Sequence, residues 1–97
     1  MEINDSPVIA LNRAVAVANI DGPRVGIEAI EAIPNRGQLD SYYLLYAVLG
    51  EFEAQLHNFQ AGADHFRKAL QLTEVKSEQS FLSKRLRNCP DDKLRQG

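Results

Sequence analysis

Apolar residues recur at three- and four-residue spacing in five separate stretches of this chain, and each stretch reads as an amphipathic helix. The first runs from Val8 to about Asn19. Ser6 stands as its N-cap and Pro7 at the first helical position, where a missing N–H costs nothing. Asp21-Gly22-Pro23 stops this helix and restarts a second, which carries Val25, Ile27, Ala29, Ile30 and Ile33 and ends at Pro34-Asn35-Arg36-Gly37. A short loop leads to Asp40, the expected N-cap of the third. There Leu45, Leu49, Phe52 and Leu56 follow at four, three and four residues, and Tyr42, Tyr43 and Tyr46 widen the stripe. His57-Asn58 is the next break. The fourth helix carries Phe59, Ala63, Phe66, Ala69 and Leu70 and ends near Thr73. The fifth is expected from an N-cap at Ser77, with Glu78 in its first turn. It should bury Phe81, Leu82 and Leu86, and its basic last turn complements the helix dipole.

No stretch alternates apolar and polar residues with β-branched enrichment, so the fold class is all-α. Short connections make consecutive helices antiparallel neighbours. Residues 1–5 are expected as a disordered or non-native lead, 6–88 as the helical domain and 89–97 as a frayed tail.

The third and fourth helices also share a spacing of small and aromatic residues: Tyr46-x2-Leu49-Gly50, then Phe59, then Gly62-x3-Phe66-x2-Ala69. Small residues at Gly50 and Gly62 let two helices cross closely, while Tyr46, Phe59 and Phe66 fill the volume around the crossing. This resembles the tetratricopeptide pattern. Glu53, His57 and Glu74 depart from it, standing where an aromatic, a glycine and a proline are usual. About 36 residues earlier runs a fainter copy: Ala14 aligns with Gly50, Gly26 with Gly62, Ile30 with Phe66 and Ile33 with Ala69, while Arg13 falls where Leu49 sits. The expected architecture is a tetratricopeptide-like superhelix of about two repeats with the fifth helix as a C-terminal cap. Solenoids generally need about three repeats to stand alone, so such a chain is marginal, self-associates or belongs to something longer.

A more particular resemblance runs from Ser6 to Leu86. Its segments are SPVIALNRAVAVANIDGPRVGIEAIEAI, YYLLYAVLGEFEAQL, FRKALQLT and SEQSFLSKRL, the most specific being Pro7 to Pro23 with Leu11-Asn12-Arg13-Ala14-Val15-Ala16. Their order resembles the C-terminal region of bacterial extracytoplasmic-function RNA polymerase sigma factors that carry a tetratricopeptide-like domain behind their DNA- and polymerase-binding regions. The resemblance implies an accessory domain of a cytoplasmic transcription factor. The promoter-reading helices of that family have no counterpart in this sequence, so none of their residues carries over.

Composition narrows the rest. The chain has 97 residues, 44% of them hydrophobic and 25% charged, which is a globular balance. No apolar run approaches the ~18–20 residues that span a membrane, and no basic-then-apolar leader opens it. The formal net charge is −2, but unevenly placed: residues 1–75 hold five basic and ten acidic side chains, residues 76–97 six basic and three acidic. The plain reading of the basic end is a solvated terminal helix; the sharper one is a docking patch for an acidic partner. Specific binding of duplex DNA is not expected from such a balance.

Chemistry is sparse. His57 and His65 have no carboxylate at ligand spacing with both, and Cys89 is alone, so neither metal ligation nor a disulfide framework is expected. Glu51/Glu53 and Asp91/Asp92 read as solvated charge, and Ser80 and Ser83 have no neighbouring base. Catalytic residues and cofactors are therefore expected to be none. What points outward is a mostly apolar concave face: Val8, Leu11, Val15 and Ala18 in the first helix, Leu44, Ala47, Glu51 and Ala54 in the third. Either these residues are buried within the domain, or they form a groove that receives another helix. The partner would be the rest of a sigma factor, RNA polymerase, a regulator or a second copy. The expected function is thus non-catalytic regulation of transcription initiation through protein contacts; a tetratricopeptide adaptor unrelated to transcription is the alternative.

Overall fold

Helix formation follows the periodic stretches closely. The computed structural model describes residues 7–33 and 36–89. Among them are α1 (Pro7–Asp21), α2 (Pro23–Glu31), a 3-10 turn (Arg36–Leu39), α3 (Tyr43–Gln55), α4 (Phe59–Leu72) and α5 (Lys76–Arg87), and no strand. The fold is an all-α helical repeat. Each helix packs on its neighbour in the chain, most extensively α3 on α4, and the 3-10 turn packs on α1. The expected lead, the Ser6 cap, and residues 90–97 of the expected tail lie outside the described residues.

Two apolar clusters hold the stack. Leu11 and Ala14 of α1, Ile30 of α2, Ile33, Leu39 of the 3-10 turn and Leu45, Leu49 and Phe52 of α3 form the first. Ala47 of α3, Ala63, Phe66 and Ala69 of α4, Leu82 of α5 and Cys89 form the second. Leu11, Ile30, Leu39, Phe66 and Leu82 are the largest fully buried side chains. Each contributes roughly 1.5–3 kcal/mol relative to an exposed position.

The repeat is visible in the packing. A Cβ built on Gly26 would stand 2.6 Å from the Cβ of Ala18, and one built on Gly62 would stand 3.4 Å from the backbone nitrogen of Ala54. Both members shift by 36 residues (62 minus 26, 54 minus 18), so α1–α2 and α3–α4 cross at equivalent points. Gly50 belongs to the same crossing: its Cβ would lie 2.7 Å from the Phe66 ring. Leu82 and Leu86 of α5 and Cys89 just beyond its end repeat the four-three spacing of Leu45, Leu49 and Phe52. Leu82 and Cys89 are buried in the second cluster and Leu86 packs against it. The capping helix thus meets α4 as the first helix of a third pair would.

Four local expectations are corrected. Asp40 does not cap α3; Tyr42 does, in extended backbone and without a side-chain bond. The reason lies one turn earlier, where the 3-10 turn drives Leu39 into the core and its carbonyl accepts the Tyr42 N–H at 2.9 Å. Ser77 does not cap α5, which begins at Lys76 after Val75. Thr73 organises that turn instead. Its hydroxyl accepts the Val75 N–H at 3.3 Å and donates to the Glu78 carboxylate, while the Gln79 amide donates to its carbonyl at 3.0 Å. Phe81 is 54% exposed, because α5 turns buried Leu82 and half-buried Leu86 to the second cluster and Phe81 sits about 100° around the helix from Leu82. Cys89, expected at the start of the tail, is buried; burial is the main influence on its thiol and pushes it up, away from the thiolate.

Two turns use left-handed backbone. Gly22 joins α1 to α2 at φ 102° and ψ 163°, a region only glycine enters freely. The α3–α4 turn uses His57 at φ 65°. The His57 N–H reaches the Ala54 carbonyl at 3.0 Å and the Asn58 N–H reaches the Glu53 carbonyl at 2.8 Å, a Schellman closure that normally has glycine at the left-handed position. His57→Gly should raise the melting temperature by about 2–6 °C. It relieves about 1–2 kcal/mol of side-chain strain and loses part of that gain through backbone freedom and the edge-on His57–Phe59 contact. Thermal denaturation of the two proteins, followed by circular dichroism at 222 nm, checks this.

Candidate functional site

The residues expected to line a groove separate into three groups. Leu11 is fully enclosed and Ala47 is 6% exposed, so both belong to the core and present nothing to a partner. Val15, Ala18, Leu44 and Ala54 are half-buried and pack against the clusters, and Val8 is 38% exposed. Glu51 is held by α5: the Arg85 guanidinium grips its carboxylate with two N–H groups, one of them Nη2 at 2.7 Å from Oε1. That fork raises the Arg85 pKa further, against the opposing effect of burial. Arg85 also lies 6.0 Å from the Phe66 ring centre. The concave stripe is therefore continuous in sequence but divided in space. Ala18 and Ala54 sit at the two helix crossings and Glu51 is engaged by the capping helix, so its accessible part is Val8, Val15 and Leu44.

The packing residues behave as the repeat requires. Leu49, Gly50, Gly62, Phe66 and Ala69 are buried, and Tyr46 and Phe59 lie half-buried at the margin of the clusters. Tyr46 is covered on the outer side. His65 lies 6.3 Å from it ring to ring, and the Lys68 ammonium stands 5.9 Å over its ring. The first pair differs here in an informative way. Subtracting 36 turns Tyr46 into Ala10, His65 into Ala29 and Lys68 into Ala32, and the freed volume is a hollow of about 200 Å³ between α1 and α2. Ala14, Val17 and Ile33 complete its apolar lining, with Arg13 at the edge. The two pairs share a backbone crossing, but only one fills its outer seam with aromatic side chains.

Half-burial beside Tyr46 lowers the His65 pKa, with Glu53 and Asp64 opposing the shift. Folding then favours the neutral imidazole. Its contribution is complete above the unfolded value of about 6.5 and declines as pH falls from there toward the lower folded value. The melting temperature should drop on acidification from pH 7 to pH 5.5, and His65→Gln should flatten part of that slope. A pH series of melts on both proteins gives the comparison.

Among the described residues no group of three or more His, Cys, Asp and Glu side chains is arranged to hold a metal ion, and no helix is long and apolar enough to cross a membrane. Two elements of this geometry were not foreseen from the sequence. The Glu51–Arg85 pair joins positions 34 apart, which no local pattern signals. The outward turn of Phe81 was obscured because Phe81-Leu82 reads as one apolar step. The four-three spacing of Leu82, Leu86 and Cys89 identifies the buried side once Cys89 is counted as apolar.

Comparison with known proteins gives little company. No family model matches the chain and no solved structure matches it. Among curated proteins it is similar to an uncharacterised protein of Rhizobium meliloti (strain 1021), with 30% identity over 84 residues. The match takes in 87% of this chain and 19% of the relative, so the chain spans about a fifth of the length of that protein.

Proposed function

We propose that this chain is a non-catalytic accessory domain of a bacterial extracytoplasmic-function sigma factor, acting in the cytoplasm by binding protein. The observation that carries the reading is the 36-residue recurrence of one helix crossing, Ala18–Gly26 and Ala54–Gly62, within a chain whose most specific sequence resemblance, Pro7 to Pro23, covers the helix that supplies Ala18 to the first of them. Stacked helix pairs generate extended surface rather than a reaction pocket. The match to about a fifth of a longer relative supports a module that works as part of a larger polypeptide.

In this reading the accessible side of α1, with Val8 and Val15, meets the sigma factor's own DNA- and polymerase-binding regions, RNA polymerase or a regulator. Within one polypeptide the effective concentration is high, and modest apolar contact suffices. Such a contact regulates by stabilising one of two arrangements of the sigma factor, shifting the population able to initiate. The domain itself contributes no sequence-specific reading of duplex DNA. An adaptor role outside transcription predicts the same fold but a different neighbour.

The test is promoter-directed transcription with purified RNA polymerase, comparing the intact protein with a version lacking this domain. A change of severalfold in either direction supports regulation. Equal transcription, or an intact protein without sigma regions, refutes it.

A further inference from the structure

The outer face of α5 is a second surface, independent of the sigma-factor reading. Lys76, Gln79, Ser80, Ser83, Lys84 and Arg87 line a shallow, open depression of about 400 Å³ along this helix. Lys76, Lys84 and Arg87 are exposed, and none of the three forms an ion pair within the described residues. The other two cations nearby are committed: Arg85 to Glu51, and Arg67 to Asp64 at 3.0 Å. One turn before Lys84 on the same helix stands Phe81, 54% exposed, with Val75, 52% exposed, at the head of the helix. Leaving a phenylalanine in water forgoes the burial that drives folding, and its place three residues before Lys84 on the helix surface gives this end of the face two kinds of contact at once.

We propose that this face of α5 docks an acidic polypeptide segment carrying an apolar anchor. The cations meet its carboxylates and Phe81 receives the anchor. Charge complementarity selects this occupant. The row is a local patch of positive charge on a molecule whose residues 1–75 hold twice as many acidic as basic side chains. A short acidic segment can lie on the patch and stay clear of the rest. A long polyanion such as a nucleic acid runs on past the patch and meets the acidic remainder, where like charges repel. Ser80 and Ser83 between the cations supply hydroxyl donors suited to carboxylate oxygens.

The test is fluorescence anisotropy of the full chain with a fluorescein-labelled peptide of Glu and Leu at helical spacing. The same peptide with Ser in place of Leu and labelled oligo-dT serve as competing probes. The Glu/Leu peptide should bind most tightly, and more weakly as salt rises. Lys84→Glu with Arg87→Glu should weaken it about tenfold or more, and Phe81→Ser by about threefold or more. These positions are exposed, so unchanged far-ultraviolet circular dichroism is expected of both variants; should the charge reversal perturb the fold, Lys84→Gln with Arg87→Gln replaces it. Absence of peptide binding overturns the proposal, as does binding indifferent to these substitutions. Tighter binding of oligo-dT assigns the face to nucleic acid and overturns it as well. So does concentration-dependent self-assembly that Lys84→Glu with Arg87→Glu abolishes, since the occupant would then be a second copy.

Discussion

Gly62→Leu is expected to lower the melting temperature by about 10 °C or more, the largest effect of any single substitution on the α3–α4 crossing. A Cβ at Gly62 would stand 3.2 Å from the Gly50 carbonyl oxygen and 3.4 Å from the Ala54 nitrogen. Both are backbone atoms, so neither yields as a flexible side chain does. At Gly50 and Gly26 the atoms in the way are the rings of Phe66 and Phe52 and the methyl of Ala18. Replacing a mid-helix glycine recovers roughly 0.5–1 kcal/mol of helix propensity, which nearly balances the slight crowding of Gly62→Ala. A leucine adds three more carbons with nowhere to go, and overpacking of this kind costs about 1–3 kcal/mol or more. In a domain of this size 1 kcal/mol moves the midpoint by about 4–8 °C. Melts of Gly62→Ala and Gly62→Leu beside the parent read both effects. An unchanged midpoint for Gly62→Leu would mean that the two helices do not cross there.

Leu11→Asp should leave the chain largely unfolded at 25 °C, whereas Val8→Asp should cost little. Leu11 is fully enclosed among Ala14, Ile30 and Leu39 in the first cluster. Truncating such a leucine alone costs about 2–5 kcal/mol, and a buried carboxylate adds a desolvation penalty or must take up a proton. Domains of this size hold only about 5–15 kcal/mol in total. Val8, at 38% exposure on the same helix face, has water available for a carboxylate. Far-ultraviolet circular dichroism distinguishes the two variants. The contrast also separates core from contact surface on α1: an effect of Val8→Asp or Val15→Asp on transcription, with the fold retained, reports docking, while any effect of Leu11→Asp reports folding.

The pair α3–α4 was legible because several signals agreed there. Leu45, Leu49 and Phe52 mark one face, Gly50 and Gly62 mark the crossing, and Phe66 marks what fills it. The first pair was fainter because Ala14 and Ile30 preserve only the size pattern, not the residue types. The concave stripe misled for a geometric reason. Helical spacing tells which residues share a face, but not what another element lays across that face. Leu11 and Ala47 have the spacing of groove residues, and α2, the 3-10 turn and the helices after α3 enclose them. Capping failed where a neighbour outbid a local signal. Thr73 gathers Val75, Glu78 and Gln79 around itself, and Ser77, the second residue of α5, is left with no capping role.

Because every extensive contact joins helices adjacent in the chain, no long loop has to close before the core can form. Such a topology folds quickly and comes apart as a zipper does, from its ends. The α3–α4 hairpin, with the largest contact, is the natural seed, and α1 and α5 are the teeth that open first. A partner gripping α1 or α5 therefore does more than occupy a surface. It closes the end of the zipper, and the grip should be felt as slower amide hydrogen exchange one helix further in, at residues the partner never touches.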